Sequence, residues 1–90
     1  MIKYGKLSQL EPGRVEREHF LCLINISPIR SRKIIHALEE YFVNGVNRKV
    51  ICEEYNVNPG YLSLKIREFQ NISSMVYSAL PFYIDRLVRI

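Results

Sequence analysis

Residues 47–71 read NRKVICEEYNVNPGYLSLKIREFQN, and this stretch decides how the remaining chain is interpreted. Asn47 suits the N-cap of a short helix, because its side-chain oxygen can accept an orphan backbone N–H. Ile51, Cys52 and Tyr55 then share one face at helical spacing. Asn56 follows, and asparagine tolerates the left-handed conformation that ends a helix. Val57 is the one apolar residue of the turn. Asn58 can cap again, and Pro59 fits the first helical position, where a missing N–H costs nothing. Leu62, Ile66 and Phe69 form a second apolar stripe. A short helix, a tight turn and a capped longer helix make a helix-turn-helix, although the same spacing also suits a helical hairpin with no nucleic-acid role.

On the N-terminal side, residues 31–44 predict the scaffold helix on which this pair packs. Ser31 is its N-cap, Ile34, Ile35, Leu38, Tyr41 and Phe42 its apolar stripe, and Asn44-Gly45 its stop. Residues 14–25 predict an earlier helix with Val15, Phe20, Leu23 and Ile24 inward and Cys22 packed as a small hydrophobe. Pro28 bars its continuation. Residues 1–13 read as a flexible or extended arm carrying Lys3 and Lys6 and closed by Glu11-Pro12-Gly13. Beyond Asn71 a further helical run is expected to break or end at Pro81. The expectation is an all-α chain, a small helix-turn-helix DNA-binding domain of four to five helices. It divides into an arm (1–13), a helical domain (14–80) and an apolar tail (81–90), read as an oligomerisation segment with the alternative that it folds back over the scaffold helix and finishes the core.

Composition narrows the function classes. Ninety residues make one domain with a limited core, so assembly would help it. The formal net charge of +4 favours a polyanionic partner. The two cysteines have no metal or redox spacing, and a reduced intracellular chain is the simpler reading. The N-terminal run lacks the apolar core of a signal peptide, and no apolar run approaches the roughly 18 residues of a membrane span. A cytoplasmic, nucleoid-associated protein is therefore expected, with no membrane partner. His19, Cys22, His36 and Asp85 form no ligand set, and neither a phosphate loop nor a nucleophile motif is present. No enzyme activity, cofactor or metal is expected.

The charges suggest where DNA would lie. A helix N-terminus favours acids, yet Arg32 and Lys33 open the scaffold helix and Arg48 and Lys49 open the first helix of the motif. Backbone phosphate would meet both the free N–H groups and these cations. The competing account is local pairing such as Lys49 with Glu53. On the longer helix, Gly60, Leu64, Arg67 and Asn71 lie opposite the apolar stripe, with Ser63 beside them. Arginine can read guanine or bind phosphate, asparagine can pair with adenine, and Leu64 can meet a thymine methyl or another subunit. Tyr61 lies at the edge, its ring expected to pack on the scaffold helix. With Arg30, Asn58 and Lys65, these residues complete the candidate contact set for double-stranded DNA.

The run HFLCLINISPIRSRKIIHALEEYFVNGVNRKVICEEYNVNPGYLSLKI resembles the PapB-type regulators of fimbrial (adhesin) biosynthesis in bacteria. The elements that carry the likeness are Leu10-x-Pro12-Gly13, His19-Phe20, Ile26-Ser27-x-Ile29-x-Ser31, Gly45, Arg48-Lys49, Cys52-Glu53-x-Tyr55, Asn58-x-Gly60-Tyr61, Pro81 and Tyr83. The resemblance implies a small all-helical transcription factor that binds AT-rich repeats upstream of a fimbrial operon as a homo-oligomer. Pro59 and Leu64 depart from the polar residues expected there, as does the apolar C-terminus. The rival reading is a small helical adaptor whose apolar tail docks another protein and whose charge only solubilises it.

Overall fold

The fold is described from a computed structural model over residues 9–89, with side chains through Leu87. Among these residues there are four α-helices and no strand: α1 Arg17–Ile26, α2 Arg32–Phe42, α3 Arg48–Tyr55 and α4 Pro59–Arg89. The architecture is all-α, as the apolar spacing predicts.

Local chemistry places the ends of these helices. Ser31 caps α2 by accepting the Ile34 N–H at 3.3 Å. Asn47 caps α3 by accepting the Lys49 N–H at 2.7 Å. At the end of α1, the buried Ser27 hydroxyl donates to the Ile24 carbonyl at 2.8 Å and accepts the Ile29 N–H at 3.2 Å. That local hydrogen bonding carries the chain past Pro28 into α2. Beyond α2, Gly45 is left-handed at φ 70°.

The core centres on three fully buried rings, one each from α1, α2 and α4. Phe69 lies 5.1 Å from Phe20 and 5.0 Å from Phe42 between ring centroids. Tilted ring pairs at this distance add to the stabilisation from burial alone. Leu23, Leu38, Ile51 and Leu62 close the core around them. Because Ile51 and Leu62 are buried in the same cluster, the core itself fixes the angle between α3 and the start of α4.

Three expectations are corrected. Residues 9–13 are not a free arm: Leu10 is buried, and the Gly13 N–H donates to the Tyr41 carbonyl at 3.1 Å. Gly13 (φ 76°) meets Gly45 so closely that a β-carbon on Gly13 would stand 3.0 Å from the Gly45 Cα. The apolar Leu10 and this glycine contact hold the segment as a strap; Lys3 and Lys6 lie outside the described residues. Second, α4 does not end at Pro81 but runs through it. Proline keeps a helical φ but forfeits one main-chain bond and crowds the carbonyl four residues back, and a break here would have to be offset by packing of the residues beyond it. Phe82, Tyr83, Ile84 and Leu87 are instead all exposed. Third, Cys22 is exposed, because it falls roughly opposite Phe20, Leu23 and Ile24 at about 100° per residue.

Among the described residues, no helix is long and apolar enough to cross a membrane. No group of histidines, cysteines and acids there is placed to hold a metal ion.

Candidate nucleic-acid interface

The turn between α3 and α4 is built from three residues. Asn56 adopts the left-handed conformation at φ 52°, ψ 53° and ends α3. Val57 turns inward and is buried. The Asn58 side-chain oxygen accepts the N–H groups of Gly60 and Tyr61 at 2.8 and 3.2 Å, which caps α4 at Pro59. Asn58 is thus committed to the cap, and any DNA contact it makes must use its amide nitrogen or backbone.

The cations divide by what already holds them. Arg48 donates through Nη1 to the Ser63 Oγ at 3.0 Å and through Nη2 to the Tyr41 hydroxyl at 3.3 Å, with its guanidinium 5.2 Å above the Tyr41 ring centre. Lys33 Nζ donates to the Asn56 carbonyl at 3.2 Å. Lys33 is therefore misplaced for the start of its own helix but well placed for the negative end of α3, so its charge is not left uncompensated in the free domain. Arg30 turns back onto the Ser27 and Ile29 carbonyls at 2.7 and 2.9 Å. Lys65 pairs with Glu68 at 3.1 Å and lies 5.5 Å from the Tyr61 ring centre. The Glu68 hydrogen bond raises the Lys65 pKa above its ordinary value, partly offset by desolvation, so the ammonium stays charged at neutral pH. Arg32, Lys49 and Arg67 make no hydrogen bond or ion pair through their side chains among the described residues; the Lys49–Glu53 pair does not form.

Two clefts flank the Arg48–Ser63 bridge. One, of about 560 Å³, is lined by Lys49, Cys52, Val57, Pro59 and Leu62. The other, of about 580 Å³, is walled by Leu10, Ile66, Arg67 and Gln70. Arg48, Lys49, Ser63 and Arg67 are thereby brought together across α3 and α4. A third cleft, about 280 Å³, gathers Ser31, Lys33, Asn58 and Tyr61. Gly60, Leu64, Arg67 and Asn71 all lie exposed, with Leu64 at 51%. Tyr61 is 46% exposed, so its ring is only partly packed.

Charge is polarised along these elements. The Tyr55 phenol pKa is raised first by burial and then by Glu40, Glu54 and Glu39. The acids thus gather towards the far ends of α2 and α3, away from the cationic starts. Sequence reasoning missed Tyr41 and Gln70 as residues shaping this region. The signal for Tyr41 was its phenol at the margin of an apolar stripe; for Gln70, sixty residues from its partner Leu10, there was none.

The chain matches the family described as adhesin biosynthesis transcription regulatory protein over residues 1–83. It is 59% identical over 70 residues to the Escherichia coli regulatory protein FanB, covering 78% of this chain and 71% of that relative. It is 37% identical over 78 residues to the E. coli major pilus subunit operon regulatory protein PapB, covering 87% of this chain and 75% of that one. The crystal structure of E. coli FocB resembles it with a TM-score of 0.79 at 36% identity, over 87% of this chain and 89% of that one. On these matches, the chain belongs to the PapB family of adhesin biosynthesis transcription regulatory proteins.

Proposed function

We propose that the chain regulates transcription of a fimbrial adhesin operon by binding double-stranded DNA directly. The observation that carries this reading is the set of cations with no internal partner, Arg32 and Lys49 at the starts of α2 and α3 and Arg67 on the exposed face of α4, beside helix caps that are already satisfied. Lysines and arginines that stabilise nothing in the free domain are available to neutralise phosphate. The start of α4 enters a groove with Gly60, Leu64, Arg67 and Asn71 outward, and the starts of α2 and α3 meet the flanking backbone. AT-rich repeats are the target that the family resemblance implies.

The same reading includes self-association through the second half of α4, where Leu80, Tyr83 and Leu87 are exposed on a helix that projects from the core. Exposed apolar surface of this kind marks an interface, and joined copies gain affinity on repeated sites through effective concentration.

A mobility-shift titration of AT-rich and GC-rich duplexes at several salt concentrations tests the proposal. Affinity is expected to fall steeply with salt and to favour the AT-rich duplex. A chain that binds neither duplex at low salt would sink the DNA reading. The exposed half-helix would then favour an adaptor that docks another protein.

A further inference from the structure

We propose that Tyr41 is a positioning residue for DNA binding: from the scaffold helix it holds the Arg48 guanidinium ready to meet a backbone phosphodiester, without touching DNA itself. The inference rests on the proposed DNA-binding function and assigns part of that surface to a residue outside the helix-turn-helix.

A cation at Arg48 is costly to place. It is the first residue of α3, where the helix dipole disfavours positive charge, and it is exposed. A long side chain in that setting has every reason to wander into solvent. It is instead held at three points: the Tyr41 hydroxyl at 3.3 Å, the Ser63 hydroxyl at 3.0 Å and the Tyr41 ring face at 5.2 Å. The ring quadrupole and both oxygen lone pairs offset the unfavourable dipole.

Tyr41 is itself fixed. Its ring stands edge-on to Phe42 at 4.9 Å and 83°, and Phe42 packs against Phe69 in the core. Its carbonyl accepts the Gly13 N–H at 3.1 Å, which ties it to the N-terminal strap. The platform beneath Arg48 is therefore continuous with the hydrophobic core. Guanidinium has five N–H donors, and these two hydrogen bonds use two, which leaves three for a ligand. Arg48 and Arg67 line the same open cleft, and planar donors suit the paired oxygens of a phosphodiester. An arginine held in advance loses less freedom when it binds.

The test is a double-mutant cycle on the full chain: Tyr41→Leu, Arg48→Ala and the pair, each titrated against one AT-rich duplex by fluorescence anisotropy, with melting curves in parallel. Tyr41→Leu is expected to weaken binding by about 3- to 10-fold in the wild-type background and by nothing further beside Arg48→Ala, since contacting residues couple. Tyr41→Phe, which keeps the ring, is expected to recover most of that loss. If Tyr41→Leu melts below the assay temperature, Tyr41→Phe carries the same cycle at about twofold amplitude. Equal losses from the tyrosine substitution in both backgrounds would overturn the inference, because Tyr41 would then act independently of Arg48. Full binding by Arg48→Ala would overturn it and leave DNA binding standing; a wild type that binds no duplex would overturn both.

Discussion

Gln70 and Leu10 exchange a reciprocal pair of hydrogen bonds. The Gln70 side-chain oxygen accepts the Leu10 N–H at 2.9 Å, and its nitrogen donates to the Leu10 carbonyl at 2.8 Å. One primary amide thus satisfies both main-chain groups of a buried residue, as a neighbouring strand would. The pair fastens the strap to α4 one turn beyond Arg67, at the margin of the proposed DNA surface.

Gln70→Leu keeps the bulk of the side chain and removes both bonds. It is expected to cost about 1–3 kcal/mol in urea unfolding, because two main-chain groups lose their partners in a partly buried place. Gln70→Glu keeps the acceptor alone and should fall between. Wild-type stability in Gln70→Leu would mean that these two hydrogen bonds add nothing to the fold and that Leu10 burial and the glycine contact alone hold the strap.

Gly13→Ala and Gly45→Ala should each destabilise by about 2 kcal/mol or more, since both positions are left-handed, which costs roughly 1–2 kcal/mol for a residue with a β-carbon. Close backbone contact adds to this, at 3.0 and 3.2 Å for the two added carbons. The double substitution should cost less than the sum, because each added carbon meets the other glycine's backbone and one parting of the two segments relieves both contacts. Additive losses in chemical denaturation would argue that each glycine serves only its own turn.

Asn56→Ala should lower stability by about 1 kcal/mol, and Asn56→Gly should be neutral or stabilising, because glycine occupies φ 52° without strain. Lys33→Met removes the ammonium from the Asn56 carbonyl at an exposed site and should cost under about 1 kcal/mol. If Lys33→Met weakened DNA binding and left melting unchanged, Lys33 would belong to the phosphate contacts after all.

What was legible in the sequence was local. The caps at Ser31, Asn47 and Asn58 and the left-handed Asn56 are written within three residues of their partners, so composition and spacing reveal them. The inward positions of α1, α2 and α4 follow from helical periodicity. The strap was not legible, because Leu10 finds Gln70 sixty positions away and Gly13 finds Gly45 only once α2 has folded. Lys33 and Arg48 look alike as cations opening a helix. Their difference lies in tertiary neighbours, a helix end for one and a tyrosine and a serine for the other. Pro81 misleads because propensity penalises proline in a helix regardless of whether any alternative path offers contacts.

Arg32→Ala combined with Lys49→Ala should reduce affinity for specific and random duplexes alike. It should flatten the log–log salt slope by about two contacts' worth, at roughly 0.9 per phosphate. Both side chains are without internal partners, so stability should hold or rise slightly. A marked drop in melting temperature would make the pair structural.

Arg67→Ala should weaken binding to the preferred site by about 1–3 kcal/mol if the guanidinium reads a base edge. Parallel weakening on random DNA would identify a phosphate contact instead. Unchanged binding on both would remove this face of α4 from the interface.

Tyr83→Glu with Leu87→Glu places charge at positions 62% and 71% exposed. The fold should change by no more than about 0.5 kcal/mol, as surface substitutions do. Sedimentation should show a smaller species, and binding to tandem sites should lose cooperativity while single-site affinity is retained. A wild type that sediments as a monomer at high concentration would contradict the assembly reading.

Because α4 is one element from Pro59 to Arg89, the azimuth of its proposed DNA-facing side and that of its apolar end are mechanically coupled, as on a shaft. Its 31 residues span about 46 Å at 1.5 Å per residue. Inserting a single alanine between Ser74 and Met75 would turn one end about 100° against the other with a shift of only 1.5 Å. Seven added residues would restore the phase to within about 20° while lengthening the shaft by roughly 10 Å. In an assembly joined through the apolar end, the spacing and rotational phase of the DNA sites would therefore be set by the protein's own helical pitch.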